Sequence, residues 1–220
     1  LDTMNSGLFG GTFNPLHNGH LDTLRAVLEM FGLDRVYLIP CAIPPHKSSS
    51  GLAPGNERLE MINASIRHMP EFFSSAIELE RGGPSYTIDT VREFKKRDTH
   101  RADFYLILGS DAFLEINTWE RFSAIFDEIP VIVMTRPGSG DNFKELAGFI
   151  QREISSDYRF SEKSNTFVHD KGKQSIRIAE VPLIDISSTR IRNLIRSGKP
   201  FGHLVPPPVE KIIVEKGLYL

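Results

Sequence analysis

The 220-residue sequence lacks the features that would place it in several broad classes. It holds one cysteine, Cys41, so no intramolecular disulfide framework exists and a reducing setting is expected. No apolar run approaches the roughly 18 residues of a membrane span. The N-terminus shows neither the basic nor the apolar region of a secretory leader. Basic excess is missing too: 26 Lys+Arg stand against 28 Asp+Glu, a formal charge of −2, which argues against a general binder of nucleic acid or anionic membrane. Neither an internal repeat nor a domain-breaking linker is visible. Together these absences predict a soluble, cytoplasmic globule. A chain of this length buries roughly 70% of its unfolded surface, so it needs no disulfide or metal staple.

What is present is an alternation of short apolar runs and amphipathic stretches. Gly7-Leu8-Phe9 reads as a strand that breaks at Gly10-Gly11, and 36–39, 76–79, 104–108, 131–134 and 176–181 read as further strands. A helical stripe through Leu21, Leu24, Val27 and Leu28 ends near Gly32, and another runs over 57–69 through Leu59, Ile62, Ile66 and Met69. Further helices are expected at 87–97, 111–116, 120–126, 143–154, 188–196 and 209–215, within an otherwise weakly patterned polar stretch at 138–175 in the case of 143–154. Nearly continuous apolar strands separated by helices predict a Rossmann-like, doubly wound, mainly parallel α/β sheet with helices on both faces. The expectation is one domain over 4–220, with a small C-terminal helical part from about residue 187; residues 1–3, ahead of Met4, are set apart as a remnant or upstream extension. Ligands of such sheets bind beyond the C-terminal strand ends, which marks the segments after Phe9, Ile39, Leu79, Leu108 and Val181.

The first of these segments reads Gly10-Gly11-Thr12-Phe13-Asn14-Pro15-Leu16-His17-Asn18-Gly19-His20. Two glycines straight after a strand let backbone amides approach an anion. His17 and His20, three apart at a helix mouth, can face one ligand, and the helix N-terminus adds free N–H groups and positive dipole. A zinc site needs a third ligand, and the Glu of an H-E-x-x-H pattern is absent. A glycine turn bearing two surface histidines is the bland alternative; the position after the first strand favours the phosphate site. A second block, Ile186-Ser187-Ser188-Thr189-Arg190-Ile191-Arg192, opens the late helix, where Ser and Thr cap the N-terminus and two arginines offer charge-assisted donors to phosphate. Cys41 has no patterned His or Asn partner and reads as structural.

The first block resembles the signature of the nucleotidyltransferases that share an H-x-G-H motif, and the second supports it. Class I aminoacyl-tRNA synthetases have a similar first motif, but they are much larger and carry a K-M-S-K-S loop that this chain lacks. Three middle segments narrow the resemblance: Pro44-Pro45-His46-Lys47, then Arg81-Gly82-Gly83-Pro84-Ser85-Tyr86-Thr87-Ile88-Asp89-Thr90, then Gly109-Ser110-Asp111 with Trp119 beyond. In that order they are similar to the bacterial nicotinate-mononucleotide adenylyltransferases, from about Gly7 to Tyr219.

That resemblance implies transfer of AMP from ATP to nicotinate mononucleotide, with Mg²⁺ accompanying the ATP. It assigns ATP to Gly10, Gly11, Thr12, Phe13, His17, Gly19, His20, Gly109, Asp111, Ile186, Ser187, Ser188, Thr189 and Arg192. Catalysis falls to His17, His20 and Arg192, and the mononucleotide to Asn14, His46, Lys47, Ser85, Tyr86, Thr87, Trp119 and Arg136. No protein metal ligand is assigned. Many relatives have Asp where this chain has Asn14, which removes a negative charge and makes a metal role there doubtful. Local readings stand beside these roles: Trp119 as core packing or as a partly exposed ring that stacks a pyridine, Thr87 as a helix cap, Asp111 as a cap or a ribose-hydroxyl acceptor. Nicotinamide mononucleotide or phosphopantetheine as acceptor, and a non-catalytic nucleotide-binding regulator, are the alternatives, and a homo-oligomer stays open.

Overall fold

The computed structural model describes residues 3–44, 51–97, 102–135, 140–182 and 184–220. In chain order its elements are β1 (Met4–Gly11), α1 (Asn18–Phe31), β2 (Arg35–Pro40), α2 (Gly55–Ile66), β3 (Phe72–Ser74), α3 (Ile77–Arg81), α4 (Thr87–Arg97) and β4 (Ala102–Gly109). There follow α5 (Ser110–Leu114), α6 (Phe122–Glu128), β5 (Val131–Thr135), α7 (Gly140–Phe149), β6 (Tyr158–Ser161), β7 (Thr166–His169), β8 (Ile176–Glu180), α8 (Ser188–Arg196) and α9 (Pro207–Lys216). The chain forms two compact units: Leu1–Phe9, Val27–Asp34 and Tyr86–Leu183 make the first, and Gly10–Ala26, Arg35–Ser85 and Ile184–Leu220 the second.

In the first unit β1, β4, β5 and β8 pair in parallel in that order. β7 and then β6 extend the sheet antiparallel beyond β8. Leu106, Ile107 and Leu108 of β4 and Val131, Ile132 and Val133 of β5 are all at most 5% exposed. Successive side chains point to opposite faces, so a run buried throughout requires cover on both faces, and the expected mainly parallel α/β sheet is what forms. On the helices, Arg121 donates to Asp89 at 2.7 Å and Arg92 to Glu128 at 2.8 Å, which ties α4 to the region of α6.

The second unit holds the parallel pair β2 and β3 with α2, α3, α8, α9 and the first part of α1, through Ala26. Its apolar core gathers Met61 of α2, Ile191 and Ile195 of α8, Leu204 and Val205, and Val209, Ile212 and Ile213 of α9. Lys216 at the end of α9 bridges Glu57 and Glu60 of α2.

Four readings of the sequence need correction. Gly10 and Gly11 do not break the first strand but finish it. The stretch 76–79 is not a strand: α3 lies there, and the strand is β3, just upstream. The buried face of α2 is Arg58, Met61, Ile62, Ser65 and Ile66, and Leu59 lies off it. Finally, the polar stretch 138–175 contains, besides α7 and a π-helical turn at Ile150–Ile154, the antiparallel strands β6 and β7.

Candidate active site

The first motif lies in the second unit, where β1 ends and α1 begins. Phe13 takes a left-handed backbone, φ 46°, uncommon for a side chain of its size and held here by a ring that is 1% exposed. Gly11 makes room for that ring, since a Cβ at this position would stand 3.3 Å from it. The two histidines stack, ring centroids 3.6 Å apart and planes 24° from parallel. The His17 backbone N–H donates to His20 Nδ1 at 3.2 Å, which leaves the proton of a neutral His20 on Nε2. Phe13 meets the His20 ring edge-on at 5.3 Å. His17 is 6% exposed, and its Nδ1 is buried with no partner among the described residues. Burial lowers its pKa to about 4, so at neutral pH it is an uncharged imidazole. Gly19 belongs to this arrangement, because a Cβ there would crowd His17 Nδ1 at 3.1 Å.

The second motif reaches the same loop. Ser187 is the N-cap of α8, its hydroxyl accepting from the Arg190 backbone N–H at 3.2 Å. Ser188 Oγ donates to the Pro15 carbonyl at 2.9 Å, and Arg192 Nη1 to the Asn14 carbonyl at 2.7 Å. Arg192 Nη2 also donates to Thr189 Oγ1 at 3.2 Å, leaving the guanidinium half-buried beside the loop. Arg190 turns away to an exposed pair with Asp185 at 3.1 Å, so the positive group is narrower than the sequence block suggests. Ile186 packs on the α8–α9 core.

Asn14 is 7% exposed and bonded through both amide atoms: Nδ2 donates to the Gly51 carbonyl and Oδ1 accepts from the Ala53 N–H, each at 2.9 Å. A carboxylate could not make the first of these bonds. Ser85 is likewise fixed, its N–H donating to Ile43 O at 3.1 Å and its Oγ accepting from the Ala42 N–H at 2.9 Å. Sequence reasoning missed Arg58, which is 1% exposed and donates to the carbonyls of Thr12, Cys41 and Ala53. The available signal was an arginine on the apolar stripe of a helix. It also missed Tyr219, at φ 68°, whose hydroxyl is buried without a partner among the described residues. Burial pushes that phenol well above its usual range against the opposing pull of Arg58 and Arg192. Cys41 is buried, its Sγ 4.0 Å from Arg58, in keeping with a structural reading.

Gly10, Gly11, Thr12, Phe13, Asn14, His17, Gly19, His20, Ser85, Ile186, Ser187, Ser188, Thr189 and Arg192 thus all lie in the second unit. Tyr86, Thr87, Gly109, Asp111 and Trp119 lie in the first. Thr87 opens α4, and the Tyr86 carbonyl accepts from the Asp89 and Thr90 N–H groups. Gly109, not Asp111, occupies the cap position of α5, with no side-chain capping bond; Asp111 sits exposed in the first turn, so its cap reading falls. Trp119 closes a short 3-10 turn, Ile116–Thr118, and is half-buried, so it is not a core residue. His46, Lys47 and Arg136 lie outside the described residues. Among those residues no helix is long and apolar enough to cross a membrane, and no three His, Cys, Asp or Glu side chains are grouped to hold a metal ion.

Known proteins resemble this chain in sequence and in fold. The cytidylyltransferase-like family pattern matches residues 8–194. Curated relatives named "Probable nicotinate-nucleotide adenylyltransferase" from Geobacter metallireducens and Pelobacter propionicus are each 38% identical, with 98% of both chains covered. The fold matches a Plasmodium falciparum nicotinic acid mononucleotide adenylyltransferase solved in complex with NaAD, at TM-score 0.71 and 18% identity over 98% of this chain and 97% of that one. With a family pattern spanning most of its length and full-length relatives well above 30% identity, the chain belongs to the cytidylyltransferase-like family and, within it, to the nicotinate-nucleotide adenylyltransferases.

Proposed function

We propose that the protein transfers AMP from ATP to nicotinate mononucleotide, releasing pyrophosphate and forming nicotinate adenine dinucleotide, by direct in-line attack at the α-phosphorus. The observation that carries the reading is the meeting of both motifs on one turn: Arg192 and Ser188 bond to the carbonyls of Asn14 and Pro15, beside the stacked His17 and His20. The mononucleotide phosphate oxygen is already a nucleophile, so no base and no covalent intermediate are required. Catalysis then rests on positioning and on stabilising charge as it moves to the leaving group. His20, with Nδ1 occupied, offers Nε2–H to the α-phosphate. Arg192, with Ser188, Thr189 and the N-terminus of α8, holds the departing β- and γ-phosphates.

On the acceptor side the family roles fall on Asn14, His46, Lys47, Ser85, Tyr86, Thr87, Trp119 and Arg136. The bonds of Asn14 favour holding the loop over touching the substrate. Trp119, half-buried, suits stacking of a pyridine ring. Mg²⁺ is read as arriving with the triphosphate, bound mainly to its oxygens and to water. The setting is read as cytoplasmic, in keeping with a single cysteine that can form no intramolecular disulfide. The test is rapid mixing of enzyme with Mg-ATP alone. Direct transfer predicts no pyrophosphate burst until nicotinate mononucleotide is added, whereas a burst stoichiometric with enzyme contradicts it.

A further inference from the structure

Arg58 lies on the buried face of α2 with 1% of its surface exposed. Taking a guanidinium out of water is costly unless its donors are satisfied, and an apolar side chain of similar size would fill the place more cheaply. Its planar fork is spent on three main-chain carbonyls from three separate segments: Nη1 to Thr12 at 2.8 Å, Nη2 to Cys41 at 2.7 Å, and Nε to Ala53 at 2.9 Å. Thr12 belongs to the turn of the first motif. Cys41 leads into Ala42 and Ile43, whose main chain bonds to Ser85 on both sides. Ala53 is in turn bonded to the Asn14 side chain. One buried residue therefore sets the spacing between the turn read as holding ATP and the segment read as holding the mononucleotide.

We propose that Arg58 is a positioning residue for the transfer, fixing the two substrate-holding segments relative to one another, so that its loss falls on kcat and spares the binding of each substrate alone. The inference rests on the functional reading above. Its test is Arg58→Lys, which keeps charge and bulk but loses the planar fork. Titration calorimetry with an α,β-methylene analogue of ATP, and separately with nicotinate mononucleotide, gives Kd and the number of competent sites for normalising kcat. The expected result is binding within about threefold of the unaltered enzyme, with kcat per competent site lower by about tenfold or more. A kcat within about threefold, or a weakening of binding that accounts for the whole loss, overturns the proposal.

Should the lysine variant not fold, the unaltered protein carries the test through the Arg58 Nε–H resonance. That resonance is expected to shift on adding either ligand alone, and failure to respond to one of them overturns the proposal. Unaltered enzyme that neither binds nor turns over nicotinate mononucleotide overturns the functional reading, and this inference with it. Normal turnover by both enzymes overturns the role of Arg58 alone.

Discussion

At His17 the cost of building the site is visible in a single side chain. Its Nδ1 is buried without a partner among the described residues and its pKa is lowered to about 4 from 6.5, because burial disfavours the charged ring. Between those two values the unfolded chain binds a proton that the folded chain does not. The associated stability is therefore fully present above the ordinary value of 6.5 and is lost as pH falls toward 4, by on the order of 3 kcal/mol. His20 stacks on the same ring, so protonating both would set two cations face to face. Urea unfolding at pH 7 and pH 5 should show a larger loss in the unaltered protein than in His17→Gln. Equal losses would contradict a neutral, buried His17.

Among the elements, α8 does most to join sequence to site. Ser187 caps it, and Ser188 and Arg192 project from its first two turns onto the Pro15 and Asn14 carbonyls. Ser187→Ala should cost about 1 kcal/mol, a fall in melting temperature of roughly 2–4 °C for a chain of this size. An unchanged melting temperature would show that the cap does not hold this helix. The bounds of α8 were legible in the sequence because every signal agreed: a capping serine, apolar Ile191 and Ile195 at helical spacing, and Gly198 after the end. The same agreement made β4 and β5 legible. Where local signals are short or divided, tertiary structure decides. The stretch Ala76–Leu79 alternates like a strand yet becomes the single turn α3, and the four-residue strands β6 and β7 have too few apolar positions to stand out from the polar stretch around them. The candidate site followed the same division. His17 and His20 could be paired from their spacing and Ser187 from its cap position, but the clasp made by Arg58 and Asn14 depends on carbonyls brought from distant segments.

At the scale of the whole molecule, a near-neutral chain concentrates function by placement and not by net charge. The formal charge of −2 lacks the basic excess expected of a general nucleic-acid binder, while the two motifs gather neutral and cationic donors around one turn of the second unit. The first unit holds the half-buried Trp119 and the mouth of α4, where Tyr86 and Thr87 stand, residues that the proposed function assigns to the mononucleotide. The identity of the acceptor is read from pyrophosphate release from Mg-ATP with a panel of nicotinate mononucleotide, nicotinamide mononucleotide and phosphopantetheine, the product identified by mass. Nicotinate mononucleotide should give the highest kcat/KM, with nicotinate adenine dinucleotide and pyrophosphate in equal amounts. Turnover favouring another acceptor, or none with any of the three, would contradict the proposed function.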